Sequence, residues 1–162
     1  MAVRPLDNRR WGFESNCFVC EQRNERGMQL PFFHDDDAEL VFAEYTLGEE
    51  FSGAPTYVHG GVTLAVLDEA MAWAAIAVGG KFAVTQEISA TFGYPVRVGR
   101  RYRVEARLIS QTGEHFEAES AVLDAKSRPC VQARCSLVVL WAAKAVDALG
   151  TEATGDDARY VR

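Results

Sequence analysis

The sequence predicts an α+β protein in which a long antiparallel sheet wraps around one central buried helix. Two observations carry this expectation. The segment from Val62 to Val78, "VTLAVLDEAMAWAAIAV", is rich in helix formers, is bounded by Gly-Gly on both sides, and is apolar around nearly its whole circumference. Beyond Gly80 the apolar period changes to two, over four long runs joined largely by tight turns. A helix that is greasy almost all round needs a sheet curved about it.

The elements follow in order. Residues 1–27 read as an irregular lead-in, rich in Arg, Asn and Glu. "MQLPFF" and "AELVFAEYTL" read as two short strands around the acidic turn His34-Asp35-Asp36-Asp37, a solvated turn or else a place for a cation. "GEEFSGAPTY" is a loop by its Gly and Pro content. After the helix, "AVTQEISATFGYPV" is the first long strand. "RYRVEARLIS" then sets Tyr102, Val104, Ala106 and Leu108 against Arg101, Arg103, Glu105 and Arg107. Gln111 to Glu114 turn the chain into "HFEAESAVLD", and "AKSRP" turns it into "CVQARCSLVVLW". Residues 28–142 thus make the domain. From Ala143 the pattern fades, so 143–162 are expected to be a frayed helix and a disordered tail.

At 162 residues the chain is one domain's length. A formal charge of −6 and a pI near 5.1 argue against general nucleic-acid affinity. The opening "MAVRPLDNRRWGFE" has no apolar signal core, which suggests a cytoplasmic protein. The apolar helix carries Asp68 and Glu69 near its middle and is followed by alternating strands, which excludes the membrane as a partner. Cys17 and Cys20 form a C-x-x-C, which is half a zinc site or a redox pair. No second C-x-x-C exists, and His34, His59 and His115 show no ligand spacing, so the expectation is reduced thiols and no metal.

Two places offer chemistry. His59-Gly60-Gly61 enters the helix, where the first N–H groups lack internal partners and the macrodipole is positive. The turn either receives a developing oxyanion on the Gly60 or Gly61 N–H or merely fits a tight loop. Asp68 is either a general base or nucleophile, or a structural carboxylate. The two lie eight residues apart, roughly 12 Å along one helix. If both act on one carbonyl, Asp68 must come from a second chain whose helix runs antiparallel to the first, as a two-fold dimer allows.

"CFVC", "GAPTYVHGGVTLAVLDEA" and "FGYPVRVGRRYRVEARLI" resemble hotdog-fold thioesterases of the phenylacetate-degradation, or PaaI-like, group over about residues 17 to 141. The resemblance implies a hotdog fold, a homodimer or dimer of dimers, and hydrolysis of acyl-CoA without metal or other cofactor. It gives the Gly60 N–H the task of polarising the thioester carbonyl and makes Asp68 of the partner base or nucleophile. His59 would shape the turn. Where relatives often carry Asn or Gln six residues before the histidine, this chain has Gly53 with Ser52 beside it. One turn after the acid, where a Ser or Thr is common, it has Ala72.

Glu69 leaves the helix about 100° from Asp68 and is a secondary candidate, or a salt-bridge or interface residue. Arg97, Arg100, Arg101 and Arg103 form a basic cluster suited to coenzyme A phosphates, or else a solvated strand face. Met71, Trp73 and Phe92 line an acyl tunnel or belong to the core. The expected function is acyl-CoA thioester hydrolysis. Its rivals are a non-catalytic acyl-CoA-binding hotdog protein, and a hydratase or dehydratase of the same fold.

Overall fold

The computed structural model describes residues 2–11 and 15–152. Among them seven strands form one antiparallel sheet around a central helix. The strands are β1 (Val3–Pro5), β2 (Phe33–Asp35), β3 (Leu40–Thr46), β4 (Ala83–Phe92), β5 (Arg101–Thr112), β6 (His115–Leu123) and β7 (Pro129–Val139). The central helix is α1 (Gly60–Ala77), and a short α2 (Ala142–Leu149) follows the sheet. Strand order is β1-β2-β3-β5-β6-β7-β4, which leaves β1 and β4 at the two edges.

The period-two reading holds across the sheet. Tyr102, Val104 and Ala106 of β5 are buried, as are Phe116, Ala118, Ser120 and Val122 of β6. So are Val131, Ala133, Cys135, Leu137 and Val139 of β7. Alanines at several of these inward positions let α1 approach closely, and the Ser120 hydroxyl donates to the Leu67 carbonyl at 3.4 Å. On α1, Val66, Leu67, Ala70, Met71, Trp73, Ala74 and Ala75 are buried. Each large aliphatic side chain so enclosed is worth roughly 1.5–3 kcal/mol. By length and composition α1 is apolar enough to cross a bilayer, yet it is the core helix of this sheet. Its least covered stripe runs through Gly61, Ala65, Asp68 and Ala72, one helical face of three small residues and an acid.

The N-terminal half departs from expectation in two ways. Residues 1–27 are not wholly irregular, because Val3–Pro5 pairs with β2 and Asn8–Trp11 makes a 3-10 turn. "MQLPFF" is not a strand before Phe33. The Met28 and Leu30 N–H groups instead bond the Phe18 and Val19 carbonyls, Gln29 takes a φ of 52°, and Pro31 has no N–H to give. His34 and Asp35 therefore belong to β2 rather than to the turn, and His34 is buried. The helix starts two residues earlier than the Val62 expected, at Gly60. The frayed C-terminal helix is α2, closed by Gly150 at a φ of 75°; the expected disordered tail lies mostly outside the described residues.

Candidate active site

His59 caps α1. Its Nδ1 accepts from the Gly61 N–H at 2.9 Å, which fixes the ring as a capping group, the turn-shaping part expected of it. A Cβ on Gly61 would lie 3.1 Å from that nitrogen, so glycine keeps the cap closed. The Gly60 N–H has no acceptor among the described residues and sits at the exposed, positive end of an 18-residue helix. It is free to donate to an incoming oxygen. Phe92, at the end of β4, lies against Gly60, its ring 3.6 Å from where a Cβ would stand, and is exposed. Of the three side chains considered for an acyl tunnel, Phe92 alone borders this site. Met71 and Trp73 are core.

Asp68 lies two turns further along, on the open stripe of α1. The Thr85 hydroxyl donates to its Oδ1 at 2.5 Å. Thr85 is the one polar residue in the inward register of β4 ahead of a bulge between Thr85 and Glu87. Sequence reasoning missed it; a hydroxyl at an otherwise apolar inward position was the available signal. The rise of the helix separates Gly60 and Asp68 by roughly 12 Å, so one chain does not bring them to one atom.

Gly53 and Ser52 flank the same turn. The Gly53 N–H bonds the Tyr57 carbonyl, and a Cβ there would meet His59 Cδ2 at 3.2 Å and Cα at 3.3 Å. Ser52 bridges to Val58 through its backbone. Neither presents a polar side chain bonded to the cap.

Among the described residues Glu69 takes no salt bridge. It reaches the N-terminal loop, where its Oε1 lies within hydrogen-bond distance of Cys17 Sγ, at 3.4 Å. Burial pushes the Glu69 carboxyl up to about 8, and the negative Cys17 sulfur adds to the rise. The Cys20 thiol and the backbone N–H groups of Cys20 and Val19 pull the Cys17 thiol down to about 5, against its burial. Cys20, the partner that keeps the proton, is pushed up by the same sulfur and by burial. The donor atoms of Cys17, Cys20 and Glu69 all lie within 4.8 Å of one another.

The basic cluster splits. Arg97, Arg100 and Arg101 line one cavity of about 640 Å³ together with Tyr94, Lys126 and Arg128. Arg103 turns away, pairing with Glu44 and Glu105 and lying over the Phe42 ring. Arg101 is held by Glu44, Arg128 by Asp124, and Arg97 lies over the Tyr57 ring. Arg100 is exposed and makes no ion pair among the described residues. Lys126 and Arg128 come from the β6–β7 turn, too far along the chain for sequence to join them to the cluster.

The thioesterase superfamily model matches residues 56–131, from the loop before the cap to the start of β7. The chain has the hotdog fold, and its middle part is similar to the thioesterase superfamily. Its structure is similar to that of a thioesterase superfamily protein at 25% identity and a TM-score of 0.71, over 85% of this chain and 68% of the other. It also resembles a putative thioesterase from Ralstonia eutropha related to phenylacetic acid degradation, at 20% identity and a TM-score of 0.62. That match covers 69% of this chain and 86% of the other. A Streptococcus mutans protein bound to acetyl-CoA shares the fold at 16% identity and a TM-score of 0.59, over 62% and 81% of the two chains. No curated protein matches in sequence. The superfamily match takes in His59, Gly60, Gly61 and Asp68 as well as the arginines of the cavity.

Proposed function

We propose that this hotdog protein hydrolyses an acyl-CoA thioester to a free acid and coenzyme A, acting as a homodimer. The observation that carries the reading is the pairing of a free helix N-terminal N–H at Gly60 with a carboxylate, Asp68, on the open stripe of the same helix. Two copies placed with their α1 stripes antiparallel would set Gly60 of one against Asp68 of the other, twice. The unpaired edge of β4, ten residues long with Val84 and Phe92 exposed, favours such a partner beside it.

In that arrangement the Gly60 N–H and the helix dipole stabilise the oxygen of the thioester carbonyl as it becomes negative. Asp68 takes a proton from water, which attacks the carbonyl carbon, or attacks that carbon itself and is then released by water. The C–S bond breaks, and the thiolate of coenzyme A leaves and takes up a proton. Arg97, Arg100 and Arg101, with Lys126 and Arg128, suit the phosphates of the nucleotide. The acetyl-CoA held by the Streptococcus mutans protein supports this choice of ligand.

A second reading keeps the ligand and drops the chemistry. Gly53 and Ala72 supply no polar side chain beside the cap or the acid, which favours a non-catalytic acyl-CoA-binding protein. Steady-state hydrolysis of an acyl-CoA panel, aromatic and aliphatic, run beside calorimetric binding, separates the two. Turnover that Asp68→Asn abolishes supports hydrolysis. Tight binding without turnover supports the second reading.

A further inference from the structure

The C-x-x-C that the thioesterase reading leaves unused is joined, in the fold, by a third donor. We propose that Cys17, Cys20 and Glu69 form a site for one thiophilic divalent cation, zinc by the chemistry of its donors, which straps the N-terminal loop to the middle of α1. The sequence expectation of no metal rested on spacing. Glu69 lies 52 residues from Cys17 and could not be found that way.

The site is built around the two sulfurs. The Cys20 N–H points at Cys17 Sγ from 3.5 Å, and the Asn8 side-chain amide points at Cys20 Sγ from 3.5 Å. Both sulfurs thus receive N–H donors, the outer partners that orient and stabilise metal-bound thiolates. The loop that carries them is fixed by main-chain bonds from Met28 to Phe18 and from Leu30 to Val19. It is so close to its neighbour that a Cβ on Gly27 would lie 2.5 Å from the Phe18 carbonyl oxygen.

Zinc binds sulfur at about 2.3 Å and carboxylate oxygen at about 2.0–2.2 Å, in a tetrahedron. Donor atoms already within 4.8 Å of one another reach that geometry by side-chain rotation. Two thiolates and a carboxylate leave a fourth position for water and select zinc over the hard cations magnesium and calcium. The strap is anchored one residue from Asp68, but its test is spectroscopic and does not depend on the protein being a hydrolase.

The experiment is a cobalt(II) titration of the full reduced chain after chelator treatment, followed by zinc competition. The expected result is saturation at one cobalt per chain, with sulfur-to-cobalt charge-transfer absorption and tetrahedral ligand-field bands, both bleached by zinc. Cys17→Ser and Cys20→Ser should each weaken the charge-transfer band. Glu69→Gln should keep it and bind cobalt about tenfold or more weakly. Circular dichroism checks each variant for folding, and the wild-type titration needs no variant. A reduced wild-type chain without a saturable thiolate band overturns the proposal. So does a band that survives loss of both cysteines, or an affinity unmoved in folded Glu69→Gln. A reduced chain that binds no cobalt but closes a Cys17–Cys20 disulfide in air would make the pair a redox couple instead.

Discussion

The Thr85 hydroxyl donates to the Asp68 carboxylate at 2.5 Å, tying the acid of the helix to the edge strand beside it. Hydrogen bonding to one oxygen fixes the carboxylate plane and leaves the other oxygen for water or substrate. Asp68→Asn should lower kcat by about 100-fold or more with KM and melting temperature little changed. Thr85→Val, which loses only the orienting bond, should lower kcat by about tenfold. Steady-state hydrolysis of a preferred acyl-CoA by both variants checks this, and an unchanged kcat in Asp68→Asn would make the acid structural.

Mixing two inactive variants tests whether each site draws on two chains. Gly60→Pro removes only an N–H, at the first helical position where proline is tolerated. Asp68→Asn removes only the base. A mixed dimer of the two keeps one intact site, so random exchange should restore about a quarter of wild-type activity. A site formed within one chain would recover none.

The arginines should act on affinity. Phosphate contacts are alike in the ground and transition states, so Arg100→Ala should raise KM several-fold and leave kcat nearly unchanged. Arg101→Ala should do less, since Glu44 already holds that guanidinium. A drop in kcat at constant KM would move these residues away from the nucleotide.

Stability should fall on the acid side through His34. Burial holds its imidazole below the usual range, against the pull of Asp36. Its Nδ1 lies 3.2 Å from the Arg4 guanidinium and 3.0 Å from Asp36 Oδ1, so an added proton there is attracted by one neighbour and repelled by the other. The folded state therefore binds fewer protons than the unfolded one as pH falls below about 6.5, and stability drops through that window. Melting temperature against pH should show the loss, and His34→Gln should flatten it.

The four long strands and the central helix were legible because their patterns are local: a period of two that burial confirms in β5, β6 and β7, and a helix apolar all round. The cap was legible as well, since His59-Gly60-Gly61 sits where a helix must begin. What stayed hidden depends on contacts far apart in sequence. Thr85 meets Asp68 across 17 residues, Glu69 meets Cys17 across 52, and Lys126 and Arg128 join Arg100 only when the β6–β7 turn folds beside it. β1 was missed because three residues show no period, and "MQLPFF" misled because its backbone bonds go to the Phe18–Val19 loop.

The two margins of the sheet are unlike, and the difference limits how large an assembly can grow. One margin is β1, three residues ending at Pro5, which has no N–H to offer a neighbour. The other is β4, ten residues long. In the proposed homodimer such a subunit has a valence of one. Once two copies join β4 to β4, the enlarged sheet shows only its blunt margins, so strand addition stops at the pair instead of running on into a fibre.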